Sequence, residues 1–378
     1  MPYWHLSIVY FFYFAIVGVL FPFWGLYLQY KGFDPLAVGQ LMAIFAATKI
    51  IAPNLWHTLI NRISKRHTQQ IQIATLLSWL AFLGIFAADT FWAMALIIGL
   101  FSFFWSAALP QIEAITFNHL QQQVYAYAMI RLWGSIGFIV TVAILGLIVE
   151  HYGIWIVPIA MLNLYIALWL FSLLIPEVVE NTSLHNQGSA TTSWLERIAL
   201  LSVCFLMQAS HGVYYTFYSI HLEQYGYSKA LIGQLWALGV IVELGLFLIM
   251  RQLLQYYGAR RLLITSLSLA ILRWLLIGEF PQYLSILIIA QSLHAVTFGV
   301  FHAVAIHLIY HYFYGSYQYL GQALYSSLSF GAGVSIGSLV GGYLWIWTSP
   351  TITFIVAASV AFIGVLVAWM WVDTKYRY

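Results

Sequence analysis

Apolar residues run along this chain in blocks roughly twenty long, the length needed to cross a bilayer as a helix. The blocks stop at short clusters of turn-forming residues. Lys31-Gly32-Phe33-Asp34-Pro35, His151-Tyr152-Gly153, Glu279-Phe280-Pro281 and Thr348-Ser349-Pro350 are such clusters. Twelve segments qualify: 6–28, 36–59, 70–88, 91–117, 124–149, 154–175, 196–221, 229–250, 262–279, 282–310, 321–345 and 350–372. The pattern predicts an all-α membrane protein with twelve transmembrane helices. One long polar stretch, Pro176 to Trp194, contains "ENTSLHNQGSATTS" and separates six spans from six. It reads as a flexible linker. The expected organisation is a six-helix half over 1–175, a cytoplasmic linker over 176–195 and a second six-helix half over 196–378. Asn181-Thr182-Ser183 matches a glycosylation acceptor. In a cytoplasmic linker that match is accidental.

Composition agrees. Of 378 residues, 63% are hydrophobic and 7% charged, too few charges to cover a water-facing globule. Lipid is therefore the expected solvent. The net charge of +3 and the scattered basic residues give no nucleic-acid surface. The single cysteine, Cys204, rules out an internal disulfide. Met1-Pro-Tyr-Trp-His lacks a basic region and the first span has no small-residue cleavage site, so it reads as a retained span. With the N-terminus inside, Arg62, Lys65, Arg66, Arg131, Arg197, Arg251, Arg260, Arg261, Lys375 and Arg377 fall on the inner side. Only Lys31 and Lys229 fall outside. This bias predicts both termini in the cytoplasm, in a multi-pass protein of a bacterial plasma membrane.

The two halves repeat. Shifting the chain by 194 residues sets 13–49 on 207–243, with ten identities in 37 positions and no gap. Ala15, Gly18, Val19, Phe23, Leu28, Gly32, Gly39, Gln40, Leu41 and Ala43 all meet their own kind. Arg66 lands on Arg260, and Lys49 lands on Glu243. Six helices per half is an even number, so both halves enter from the same side. This is a parallel repeat about an axis along the membrane normal, of the kind that encloses a central cavity and rocks around it. Gly333, Gly337 and Gly341 share one helical face and suit close helix contacts, static or moving.

Several stretches resemble the major facilitator superfamily, most nearly its phenylpropionate-permease branch and the related lactose permease group of proton symporters. They are "FPFWGLYL" at 21–28, "RLWGSIGF" at 131–138, "QASHGVYYTFYS" at 208–219, "GQLWALGVIVE" at 233–243, "LRW" at 272–274 and "QSLHAVTFGVFH" at 291–302. The resemblance covers nearly the whole chain and implies the same twelve-helix fold. The superfamily's acidic-basic loop motif is degraded: "NRISKRH" at 61–67 keeps the bases without the acid, while "YYGARR" at 256–261 keeps more. The gating charge relay usual at the first of these loops is therefore not implied here.

Ionisable residues inside spans are costly, about 2.5–3.5 kcal/mol each at mid-bilayer, and mark functional sites. Lys49, Glu113, Arg131, Glu243 and Arg273 fall in or at the ends of spans, with His211, His294, His302 and His307. Lys49 and Glu243, at equivalent repeat positions, are expected to face each other as an ion pair that substrate or proton breaks, or as a static pair in a cavity wall. The resemblance implies that Glu113 and Arg131 contact substrate; a salt bridge orienting two helices is the alternative. It also implies that Glu243, Arg273 and His294 form the proton-coupling set. Coupling needs a carboxyl whose proton affinity responds to a nearby cation and to substrate. His302 lies about 80° round an ideal helix from His294 and is the weaker candidate.

Aromatic residues make up 18% of the chain. Membrane-interface belts account for many. Others crowd the first and seventh spans, which line the cavity in the resembled fold. Trp24, His211 and Tyr215 are therefore assigned to substrate binding beside Lys49, Glu113 and Arg131. His307 and His311 have metal-binding spacing but no nearby acid or thiol. No metal or cofactor is expected. HExxH and acidic metal clusters are absent from the sequence, which argues against an enzyme. The expected function is proton-coupled uptake, by a monomer, of a small organic solute such as a phenylpropionate-type aromatic acid. An oligosaccharide symporter and a non-transporting membrane sensor or scaffold are the alternatives.

Overall fold

A computed structural model describes residues 2–60, 64, 66–120, 124–177 and 193–372. The glycosylation match at 181–183, most of the expected linker, and Arg62, Lys65, Lys375 and Arg377 lie outside the described residues.

Among the described residues, twelve helices are long and apolar enough to cross a membrane. They are α1 Tyr3–Tyr30, α2 Pro35–Ile60, α3 His67–Ala87, α4 Phe91–Leu120, α5 Tyr127–Tyr152, α6 Ile154–Ser172, α7 Trp194–Gln224, α8 Lys229–Phe247, α9 Ala259–Glu279, α10 Leu284–Tyr312, α11 Gln318–Trp347 and α12 Pro350–Trp371. No strand occurs among the described residues. Most boundaries fall within a few residues of expectation. The eighth span differs. It stops at Phe247, and a separate short helix, Met250–Tyr257, follows. Arg251, Gln252 and Gln255 are exposed on that helix, and their polarity ends the apolar run.

Local chemistry sets the helix ends. Ser193 and Glu196 form a reciprocal capping box at the start of α7. Ser349 accepts a hydrogen bond from the Ile352 amide, and Pro350 supplies a preset first turn for α12. The turns before α2 and α8 are built alike, 194 positions apart. Gly32 and Gly226 both hold positive φ, at 92° and 81°, which glycine adopts without steric cost. Asp34 Oδ1 accepts from the Ala37 amide at 2.7 Å, and Ser228 Oγ accepts from the Leu231 amide at 3.2 Å.

Tertiary contacts divide the chain into two compact units: Met1–Ser183 with Tyr227–Ala237, and Leu184–Gly226 with Leu238–Tyr378. In the first, α1 packs on α5 and α6, while α3 packs on α4 and α6. In the second, α7 packs on α11 and α12, while α9 packs on α10 and α12. The repeated sequence thus repeats its internal packing. Equivalent glycines permit the tightest of these contacts. A Cβ on Gly18 would lie 2.9 Å from the Phe138 carbonyl oxygen, and one on Gly212 would lie 2.6 Å from that of Val334. The first turns of α8 belong to the first unit. The Glu150 carboxylate accepts from the Lys229 amide at 2.6 Å, and a Cβ on Gly146 would meet the Lys229 carbonyl oxygen at 2.9 Å.

Burial is inverted relative to a water-soluble protein. Large apolar side chains such as Trp92, Leu96 and Leu248 face outward, while Gln208, His211, Arg273 and Gln291 are wholly buried. Lipid solvates the first group; the second needs polar company inside.

Candidate functional site

The second unit gathers a polar cluster from α7, α8, α9 and α10. Glu243 on α8 meets His294 on α10, with Oε2 and Nε2 3.5 Å apart and both side chains about nine-tenths buried. Glycines on the facing helices make this approach possible. A Cβ on Gly239 of α8 would lie 3.2 Å from His294 Cβ, and one on Gly299 of α10 would lie 2.7 Å from Glu243 Cγ. Each ionisable side chain therefore rests over a glycine of the other helix.

Arg273 on α9 is held beside this pair. Its Nη1 donates to Thr297 Oγ1 at 3.1 Å, and its Nη2 donates to Gln291 Oε1 at 2.9 Å. The Tyr214 hydroxyl donates to the same Gln291 oxygen at 3.1 Å. The guanidinium also lies over the rings of Tyr214 and Trp274, at 4.3 and 4.7 Å. Aromatic faces and hydrogen bonds together make a buried cation tolerable.

A π-helical turn over Ala295–Val300 interrupts α10 directly after His294. Such a turn adds a residue and shifts the phase of everything beyond it. The result is a stack. His294 lies parallel to Phe298 at 5.2 Å, and Phe298 parallel to His302 at 6.0 Å. The 80° separation expected on an ideal helix is thereby removed, and His302 shares the face of His294. Its Nδ1 lies 2.7 Å from the Tyr325 hydroxyl. Sequence periodicity did not show this, because a π-turn breaks the period on which the reading rests. Similar turns occur at Leu20–Trp24 and Ser326–Gly333.

The first unit carries the other cations. The Lys49 amine lies 5.9 and 5.8 Å from the ring centres of Phe45 and Trp105. Trp105 stacks face to face on Tyr13, with centroids 4.6 Å apart. Next to Tyr13, Phe14 carries the Arg131 guanidinium 3.8 Å above its ring. Gly134 leaves room for it; a Cβ there would meet Arg131 Nη1 at 2.9 Å. Glu113 is placed near the Tyr127 hydroxyl and within the field of Arg131. An aromatic floor of Trp105, Tyr13 and Phe14 therefore runs between two cations.

The predicted residues thus fall into two groups. Lys49, Glu113 and Arg131 belong to the first unit. Glu243, Arg273, His294 and His211 belong to the second, where His211 sits edge-on to Trp274 at 4.8 Å and Tyr215 lies 5.7 Å from His211. Within its unit, Glu243 pairs with His294. Trp24 is packed among Tyr27, Phe82 and Phe101 and is 1% exposed, a core position of the first unit. Sequence reasoning passed over Gln291, Thr297, Gly239 and Gly299. The spacing of Gly239 four residues before Glu243 was the one available signal.

Comparison with known proteins fits this architecture. A family profile described as "MFS_1 like family" matches residues 3–356. The chain belongs to the MFS_1 like family. This MFS protein is 30% identical over 365 residues to the "Probable 3-phenylpropionic acid transporter" of Escherichia coli (strain K12), covering 93% of each chain. It is 23% identical over 351 residues to the maltose permease of Geobacillus stearothermophilus, covering 89% of this chain and 86% of that one. A variant of the nucleoside transporter NupG superposes with a TM-score of 0.84 at 18% identity, covering 98% of this chain and all of that one. The fold is that of MFS transporters, as the sequence motifs implied. The protein is a multi-pass membrane transporter of the MFS type and not an enzyme.

Proposed function

We propose that this MFS transporter is a proton symporter that takes up a small aromatic carboxylate of the phenylpropionate type. The enclosed Glu243–His294 pair carries the reading. A proton arriving on Glu243 neutralises the carboxylate and changes its contact with His294. Loss of that proton reverses the change. A group that alternates in this way, shielded from bulk water, couples a proton to a conformational step. Arg273, already fixed by Gln291 and Thr297, holds a constant positive charge beside the alternating one.

The substrate class follows from the first unit and from kinship. Lys49 and Arg131 offer positive charge to a carboxylate, and the ring surface between them suits an aryl group. The relative from Escherichia coli bears a matching name. A second reading, an oligosaccharide, draws on the same ring surface, since sugars stack their apolar faces on aromatic rings, and on the likeness to a maltose permease. With the basic residues concentrated on one side, both termini are taken to be cytoplasmic; inward transport is taken from the proton-symport reading itself. The unit that moves substrate is taken to be the monomer.

The test is a thermal-shift panel on purified protein, since a ligand that binds the folded state raises its melting temperature. 3-Phenylpropionate is expected to stabilise and maltose to leave the transition unmoved; the reverse result selects the sugar reading. Lys49→Ala is expected to weaken the acid about tenfold, the scale of a lost charged hydrogen bond, and to spare the neutral amide of the same acid. Equal losses for acid and amide assign Lys49 a structural role instead.

A further inference from the structure

The imidazole of His211 has a fixed direction that the proposed coupling chemistry leaves unused. Its Nδ1 lies 2.9 Å from the Met207 carbonyl oxygen. A carbonyl only accepts, so Nδ1 carries the hydrogen, and Nε2 of the neutral ring presents a bare lone pair. The ring is wholly buried, and Nε2 has no hydrogen-bond partner. Its surroundings are carbon-rich: Trp274 stands edge-on at 4.8 Å, and Tyr215 and Phe298 lie at 5.7 and 6.3 Å. Of the donors around it, Trp274 Nε1, Arg273 Nε and Gln291 Nε2 are themselves buried without a hydrogen-bond partner, and others are engaged elsewhere. Both Nη atoms of Arg273 bond to Thr297 and Gln291, and the Tyr214 hydroxyl bonds to Gln291. One turn earlier on α7, Gln208 is also wholly buried, and neither its amide oxygen nor its amide nitrogen has a partner. Residues three apart share a helix face. Two buried acceptors are thus held without donors on one face of α7, at a cost of about 1–3 kcal/mol each.

A carboxylate cannot satisfy either acceptor, because an ionised carboxylate also only accepts. A hydroxyl can: it donates to the imidazole nitrogen and still accepts from an amide nitrogen such as that of Gln208. We propose that the transported acid carries a hydroxyl group in addition to its carboxylate, and that His211 Nε2 accepts the hydrogen bond from that hydroxyl. The substrate class narrows from arylalkanoates to hydroxylated arylalkanoates. This rests on the aromatic-acid reading above and adds to it a residue that sets specificity. No bond is made or broken; the discrimination is one of hydrogen-bond complementarity, which rejects an analogue lacking the hydroxyl because the buried acceptor is left unpaired.

Calorimetric binding of 3-phenylpropionate and its ortho-, meta- and para-hydroxyphenyl analogues to the full-length protein tests this directly. At least one hydroxylated isomer is expected to bind about fivefold or more tighter than the parent acid, the scale of one net hydrogen bond. In His211→Leu that ratio is expected to fall to about one. Should that variant fail to fold, His211→Gln, which keeps an acceptor of different reach, is expected to change which isomer is preferred. Nitrogen NMR of labelled histidine gives a second readout: the bare Nε2 resonance should move on adding the preferred isomer and not on adding the parent acid. Parent acid binding as well as every isomer, in wild type, would overturn the hydroxyl inference and leave the aromatic-acid reading standing, with water alone satisfying His211. Failure of all four acids to bind overturns the aromatic-acid reading, and this inference with it.

Discussion

Glu243 and His294 illustrate how much a single position can carry in this membrane. Their pairing at 3.5 Å is possible only because Gly239 and Gly299 lie beneath them. Gly299→Ala should therefore push on Glu243 Cγ and impair proton-coupled uptake while substrate counterflow persists, measured as uphill accumulation against exchange. Gln291 is the structural counterpart. One oxygen accepts from both Arg273 and Tyr214, so Gln291→Leu leaves a buried cation and a buried hydroxyl each short of a partner. The expected loss is about 2–4 kcal/mol, read as a fall in melting temperature in detergent. Lys31 shows the opposite regime. Its hydrogen bond to Asp89, at 2.5 Å, raises the amine above its ordinary value. The associated stability is full at neutral pH and disappears as pH climbs through that raised value. Because Asp89 is 75% exposed, Asp89→Ala should cost less than about 1 kcal/mol. Glu243, Arg273 and His294 stood out in the sequence because charge in an apolar run is costly. Gln291, Gly239 and Gly299 did not, because an amide or a glycine in a span has no such cost to announce it.

Among the helices, turns were easy to read and phase was not. Gly32-Phe33-Asp34-Pro35 and its counterpart at Gly226 announce a left-handed residue and a cap, and both are present. The π-turn at Ala295–Val300 has no comparable signature, so an ideal-helix period separates His302 from a face it shares with His294. The eighth span runs three residues past the helix for a plainer reason: Leu248, Ile249 and Met250 continue the apolar run beyond Phe247, and only Arg251, Gln252 and Gln255 break it. Helix contacts give a paired test. Gly18→Ala and Gly212→Ala each insert a methyl against a backbone carbonyl of the packed helix, and rigid interiors resist such overpacking by about 1–3 kcal/mol. Gly245→Ala, where a Cβ meets nothing within 4 Å, should be neutral or slightly stabilising, since alanine favours the helix over glycine. Melting temperatures of the three variants check the contrast.

At the scale of the whole molecule, duplication supplies one scaffold twice and the halves have filled it differently. The repeat places Gly18 on Gly212 and Gly32 on Gly226, so packing and turns are kept, yet Lys49 is replaced by Glu243. The first unit sets cations on an aromatic floor; the second encloses an acid, an imidazole and a guanidinium. Hydropathy and the repeat made the twelve-helix fold legible, because lipid imposes a length and a polarity on every span. The division of labour between the units was only partly legible, since side-chain direction decides it. Under the proposed symport, the acid in the second unit exchanges a proton with each substrate moved. Adding the preferred arylpropionate to de-energised cells that express the protein, in weakly buffered medium, tests this most directly. Alkalinisation of the medium in step with uptake, lost in Glu243→Gln although substrate exchange continues, is the predicted result. Full uptake with no change in external pH, or undiminished uphill accumulation by Glu243→Gln, would contradict it.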